Sequence, residues 1–238
     1  MRKDGELAPN TDPTAGSWSL VVPLKPLSLA KSRLAGAAGP QARSRLALAF
    51  AQDTVAAALS CPAVRDVVVV TDDPVAGAAL RALGARTVPD APAAGLNAAL
   101  SYGAGAIRAH RPGAPVATLN ADLPALRPAE LSRVLAAAEQ FPRAFLADAA
   151  EIGTTLLSAA PGVELRPAFG EGSRRHHLSS GAVEIPLDGV ASVRRDVDTG
   201  DDLRAALELG VGPRTAELAA AERWAAAGRW AAAEPERA

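Results

Sequence analysis

The stretch that decides the fold is Val116-Ala-Thr-Leu-Asn120-Ala-Asp122-Leu-Pro124-Ala-Leu126. An apolar run of strand type stops at Asn120, a lone carboxylate follows at the turn, and Pro124 blocks any continued backbone pairing. In an open α/β sheet, ligands sit beyond the carboxyl ends of the strands. A carboxylate fixed there is well placed to hold a metal ion on a nucleotide. The plainer alternative is that Asp122 closes a turn or caps the helix expected to begin near Pro128.

Working outward, the flanking segments repeat one pattern. Residues 18–23 read as a buried strand ending at Pro23, and residues 41–60 as a helix with Leu48, Ala51, Val55 and Leu59 at three- to four-residue spacing. Residues 66–71 contain four consecutive valines, the mark of a strand buried on both faces in a parallel sheet. A helix over 75–83, a short strand over 86–89, a helix from Leu96 or Asn97 to about His110 and a central strand over 115–120 follow. Beyond Asp122 the reading gives a helix over 128–140 and strands over 144–148 and 153–158. A short basic helix over 174–178, a strand over 183–186 and a last strand over 192–198 come next. Thr199 with Asp202 predicts a capping box for a helix over 200–209 that Gly210 stops. Strands alternating with helices through short connections predict an α/β fold: a single-domain, doubly wound, mostly parallel sheet with helices on both faces. The expected organisation is a disordered leader over 1–17, one domain over 18–214, and an Ala-rich tail over 215–238, helical in part.

Composition narrows the function. The 238 residues are 49% apolar and 21% charged, with a net charge of −1, so no basic excess points to nucleic acid. Aromatics are only 3%, which leaves Ala, Val and Leu to build the core. A single cysteine, Cys61, excludes an internal disulfide framework and fits a reducing compartment. No apolar run reaches membrane-spanning length, and residues 1–17 lack the apolar core of a signal peptide. The expectation is a cytoplasmic enzyme or binding domain with no membrane partner.

Three groups of residues can carry chemistry. Lys25, Lys31 and Arg33 follow the first strand and form a candidate triphosphate clamp, although a solvated basic loop is the commoner fate of such charges. There is no Walker A sequence and no Gly-x-Gly-x-x-Gly. Asp122, Asp196 and Asp198 follow strand ends and can hold Mg²⁺ against nucleotide phosphates. The alternative is that Asp196 and Asp198 serve the cap of the last helix, a role expected of one of the two. Gly170 to Ser173, followed by Arg174 and Arg175, lets backbone approach a ligand closely ahead of a helix start, with Thr154 and Thr155 nearby. No activated nucleophile stands out, which disfavours a covalent mechanism.

Taken together, these stretches resemble the phospholactate or phosphoenolpyruvate guanylyltransferases of coenzyme F420 biosynthesis, nucleotidyltransferases with a glycosyltransferase-A-like fold. The resemblance spans about 18–215. It rests on Val22-Pro-Leu-Lys25 with Ala30-Lys-Ser-Arg-Leu34, Gly95-Leu-Asn-Ala-Ala-Leu100, Ala121-Asp-Leu-Pro-Ala-Leu126 and Gly153-Thr-Thr155. Phe169-Gly170 with Ser173, Ser180-Gly-Ala-Val-Glu184 and Asp196-Val-Asp-Thr199 complete it. Each motif is weak alone; seven in this order are specific. The glycine-rich opening loop of the wider superfamily is absent, and Lys25 with Lys31-Ser-Arg33 stands in its place.

The resemblance implies GTP over the first loop with its base near Leu96 and Asn97, and Mg²⁺ on Asp122 and on Asp196 or Asp198. It also implies a small phosphoacid at Thr155, Gly170 and Ser173. That acid's phosphate would attack the α-phosphorus and expel pyrophosphate; heavy Ala, Arg, Gly and Pro usage suggests a high-GC actinobacterium, and in that group the resemblance implies phosphoenolpyruvate over 2-phospho-L-lactate. The runners-up are a nucleotidyltransferase of the same fold acting on sugar phosphates or molybdopterin, and a non-catalytic nucleotide-binding module. A homodimer through the tail, with its Trp224 and Trp230, is left open.

Overall fold

The computed structural model describes residues 17–29, 31, 34 and 39–221. The expected leader, Arg33 and the two tail tryptophans lie outside those residues. Seven strands form one sheet: β1 (Trp18–Pro23), β2 (Val64–Val70), β3 (Arg86–Val88), β4 (Val116–Leu119), β5 (Arg143–Ala147), β6 (Thr154–Ala159) and β7 (Val183–Glu184), in the order β3-β2-β1-β4-β6-β5-β7. Every neighbouring pair is parallel except those made by β6, which runs antiparallel to both β4 and β5. The carboxyl ends of β1, β4 and β5 and the amino end of β6 therefore meet at one edge, and that edge carries the site.

The four valines of β2 show why the central strands are apolar throughout. Val67 and Val69 enter the core on one face, with Leu20 and Val22 of β1, while Val68 and Val70 enter the core on the other, with Val21. The first face is covered by α1 (Pro40–Leu59), α2 (Pro74–Ala82) and α4 (Pro128–Ala138), the second by α3 (Leu96–His110). Helix starts follow local chemistry. Asp73 caps α2 by accepting from the N–H groups of Val75 and Ala76, both at 3.0 Å.

α3 packs closely because it has a glycine where it crosses the sheet. A Cβ on Gly103 would stand 2.6 Å from Val21 Cγ1 and 2.8 Å from Val70 Cγ2, both in the two central strands. Gly103→Ala is therefore expected to lower stability by about 1–3 kcal/mol, overpacking outweighing the gain in helix propensity. Chemical denaturation checks this; an unchanged or raised midpoint would show that α3 can move off the sheet.

Past β7 the chain departs from expectation. The predicted strand over 192–198 is instead a single turn of helix, α6 (Ala191–Arg194), followed by irregular backbone to Asp198. Val190 and Val193, three apart, are both buried, a helical spacing that a strand would split between two faces. Glu130 accepts from both the N–H and the hydroxyl of Ser192, and Arg194 donates to the carbonyls of Ala147 and Leu187. These ties hold the segment across the end of the sheet instead of along its edge.

The capping box is present, with Asp202 accepting from the Thr199 N–H at 2.8 Å, and it opens α7 (Gly200–Leu209) after α5 (Ser173–Ser179) and α6. A final helix, α8 (Pro213–Ala221), packs on α1. The buried Asp53 carboxylate accepts from the N–H groups of Arg214 and Thr215, so the start of the Ala-rich tail is part of the domain. No helix among the described residues is long and apolar enough to cross a membrane.

Candidate active site

A cleft of about 640 Å³ opens over the sheet edge defined above. Each wall comes from a different element. Pro23, Leu24 and Lys25 follow β1, Asn120 to Asp122 follow β4, and Asp148 follows β5. Gly153 and Thr154 open β6, Leu96 opens α3, and residues 169–173 lead into α5. Asp196 and Asp198 arrive from the irregular segment after α6. Both aspartates line the cleft. The Val197 N–H donates to the Asp122 carbonyl at 3.1 Å, which sets the two loops against one another.

At the floor, the Lys31 ammonium is clamped between Asp122 and Asp198, donating to Asp122 Oδ2 and, at 3.1 Å, to Asp198 Oδ1. Its side chain is only 8% exposed. Burial alone would push its pKa down, but the two carboxylates outweigh burial and hold it above the ordinary lysine value. Lys31 also has a left-handed backbone, φ +57°, a conformation that side-chain-bearing residues rarely adopt and that clusters at functional sites. Lys25, by contrast, is exposed on the cleft wall and has no ion-pair partner among the described residues.

Asp196 is strongly perturbed. Burial first, then the charges of Asp122, Asp198 and Asp148, push its pKa up to about 7, against a smaller pull from Lys31. One oxygen of Asp122, Oδ1, is buried with no hydrogen-bond partner among the described residues. Crowded carboxylates and an orphaned oxygen suit a hard divalent cation bound through oxygen. Among the described residues no three ligating side chains form a ready-made cage. That fits Mg²⁺, which is held by one or two carboxylates together with substrate phosphates.

The glycine-rich wall departs in detail from expectation. Gly170 (φ +132°) and Gly172 (φ +67°) take conformations that favour glycine, and Ser173 is buried at the start of α5. β6 carries a bulge at Thr155: Leu146 pairs with Leu156 but Ala147 pairs with Thr154. Thr154 faces the cleft, while Thr155 lies wholly buried behind it, its hydroxyl without a partner. Asn97 does not line the cleft either. Its amide is committed to the backbone of Phe169, donating to the carbonyl at 3.0 Å and accepting from the N–H at 2.8 Å. Of the two residues expected near the base, Leu96 lines the cleft and Asn97 spends its amide on protein main chain.

Sequence reasoning missed Asp148 and Asn120. Asp148 immediately follows β5, as Asp122 follows β4, so the same strand-end rule would have found it. Its carboxylate accepts from the N–H groups of Ile152 at 3.0 Å and Gly153 at 2.8 Å, and a Cβ on Gly153 would run into it. Asn120 donates to Asp196 Oδ2 at 3.5 Å.

A mostly parallel sheet whose carboxyl edge gathers aspartates, a clamped lysine and a glycine-rich wall is the architecture of a nucleotidyltransferase, and comparison with known proteins narrows the class. The chain belongs to the family described as Guanylyl transferase CofC like, which matches residues 18–217. It is 70% identical over 203 residues to the phosphoenolpyruvate guanylyltransferase of Streptomyces coelicolor, covering 85% of this chain and 96% of that protein. It is 62% identical over 204 residues to that of Thermomonospora curvata, covering 86% and 89%. Among solved structures, a cytidylyltransferase from Leptospira borgpetersenii shares the fold, with a TM-score of 0.54 and 12% identity over 88% of this chain and 95% of that one. The chain is an enzyme of the guanylyltransferase family, not a silent nucleotide-binding module.

Proposed function

We propose that this protein joins GMP from GTP to phosphoenolpyruvate, releasing pyrophosphate, as a step toward coenzyme F420. The observation that carries the reading is the Lys31 ammonium held between Asp122 and Asp198 at the cleft floor, facing a glycine-rich wall. The relatives named above favour phosphoenolpyruvate over 2-phospho-L-lactate as the acceptor.

On this reading Lys25 and Lys31 meet the triphosphate, with Arg33 a further candidate outside the described residues. Gly170, Ser173 and Thr154 receive the phosphate of the acid. Asp122, with Asp196 or Asp198, would hold Mg²⁺, which when bound supplies charge neutralisation at the α-phosphate and on the departing pyrophosphate. An acceptor phosphate oxygen attacks the α-phosphorus of GTP in line; that P–O bond forms as the bond to pyrophosphate breaks. A phosphate monoester has its second pKa near 6, so the nucleophile is already largely anionic at neutral pH and needs no general base. The chain's work is positioning and placed charge.

The test is pyrophosphate release from GTP and Mg²⁺ with phosphoenolpyruvate, 2-phospho-L-lactate and 3-phosphoglycerate offered separately. Release with phosphoenolpyruvate alone is expected. Release only with another acid would reassign the acceptor, and no release with any would overturn guanylyl transfer to a phosphoacid.

A further inference from the structure

The glycine turn that forms one wall of the cleft is preceded by a long irregular stretch, residues 160–172, with no sheet partner. Such a stretch needs another means of holding its place, because each unpaired backbone group it buries is costly. Arg108 and Arg143 hold its earlier part through the carbonyls of Ala160, Leu165 and Arg166, and two side chains from separate elements hold its end. Asn97, the second residue of α3, pairs with both the N–H and the C=O of Phe169. His177 of α5 accepts the N–H of Ala168 on Nε2 at 3.0 Å. Its proton therefore sits on Nδ1 and points to Thr154 Oγ1, 2.9 Å away on β6. The Phe169 ring closes the arrangement edge-on against the His177 ring, centroids 5.0 Å apart. Immediately past these anchors come Gly170, Glu171, Gly172 and Ser173, all on the cleft wall.

We propose that Asn97 is a positioning residue: by gripping Phe169 from both sides it fixes the Gly170–Ser173 wall that receives the acceptor phosphate. The grip is well matched to the task. An amide is the one neutral side-chain group that offers a donor and an acceptor side by side, so it can satisfy both polar groups of a single residue. It reaches from the start of α3, where Leu96 faces the cleft, to the wall built by the 169–173 turn, and so sets the spacing between the two sides of the cleft. The inference rests on the acceptor-site reading given above, but the contact itself can be tested without it.

The experiment compares the full chain with Asn97→Ala and Asn97→Asp, each checked for folding by circular dichroism. Hydrogen exchange of the substrate-free protein is read first. In Asn97→Ala the Phe169 amide should exchange about tenfold faster, the scale of one lost hydrogen bond. In Asn97→Asp the amide keeps its acceptor and should stay closer to wild type. Steady-state kinetics follow. The apparent KM for phosphoenolpyruvate should rise about tenfold in Asn97→Ala, with an intermediate rise in Asn97→Asp. The KM for GTP and the preference for GTP over ATP should not change.

A folded Asn97→Ala variant with unchanged exchange at Phe169 would overturn the proposal. So would an altered GTP preference with an unchanged KM for the acid, which would make Asn97 a reader of the base. If the wild type transfers to no acid, the functional reading fails, and the exchange measurement still decides whether Asn97 holds the wall.

Discussion

Asp122→Asn should lower guanylyl transfer by roughly a hundred- to a thousandfold, the scale on which a single placed electrostatic group acts, while the protein stays folded. The substitution keeps the size and shape of the side chain and removes its charge. The main-chain ties of the loop are untouched: the Asp122 carbonyl still accepts from Val197, and the Leu123 N–H still donates to Thr54 Oγ1 at 3.0 Å. Asp122 is the carboxylate that shares Lys31 with Asp198 and also keeps an oxygen buried without a partner, so it can engage a cation without giving up its lysine. An amide cannot do both, and it offers the ammonium a weaker acceptor. Pyrophosphate release and thermal melting, measured on the same preparation, separate chemistry from folding. Near-normal turnover by a folded variant would remove Asp122 from the metal and return it to the turn-closing role its position also allows.

What can be read from the chain alone follows from which signals are local. The parallel core is legible because Val67 to Val70 must be buried on both faces, and the start of α7 because Thr199 and Asp202 carry a complete capping box in four residues. Asp122 stands out because a carboxylate set between a strand end and a proline has few structural tasks to perform. The segment over 192–198 reads wrongly as a strand because Val193 and Val197, four apart, suit either period. The choice is made at long range, by Glu130 on Ser192 and by the carbonyls that Arg194 caps. Thr155 and Thr154 exchange places for a similar reason, since a bulge is invisible without its partner strand. Asn97 looks like a ligand contact because a polar residue at a helix start beside a cleft usually has no other employment. Its partner, Phe169, lies 72 residues away. Gly103 gives no signal at all: only the two valines it packs against show why a side chain is excluded.

Lys31→Met tests the other half of the charge arrangement, and the expected outcome has two parts. Transfer should fall by about a hundredfold or more, because the buried ammonium is held against Asp122 and Asp198 at the cleft floor. Independently of turnover, the cation-free protein should lose stability. Methionine matches the stem of lysine but removes the positive charge that Asp122 and Asp198 share beside Asp196. The loss should be smaller than the roughly 3–5 kcal/mol typical of breaking a fully buried pair, because Asp198 is half exposed. The decisive reading is how Mg²⁺ changes the melting temperature. In the wild type an added cation binds beside the ammonium, whose charge repels it; in the variant that repulsion is gone and the cation binds more tightly. A ligand that binds only the folded state stabilises it in proportion to the logarithm of its saturation. Mg²⁺ should therefore raise the melting temperature of Lys31→Met by more than it raises that of the wild type, restoring stability without restoring full activity. Equal shifts in the two proteins would mean that the metal does not feel the charge of Lys31, and the cation would have to be sought on the side of the cluster nearer Asp148.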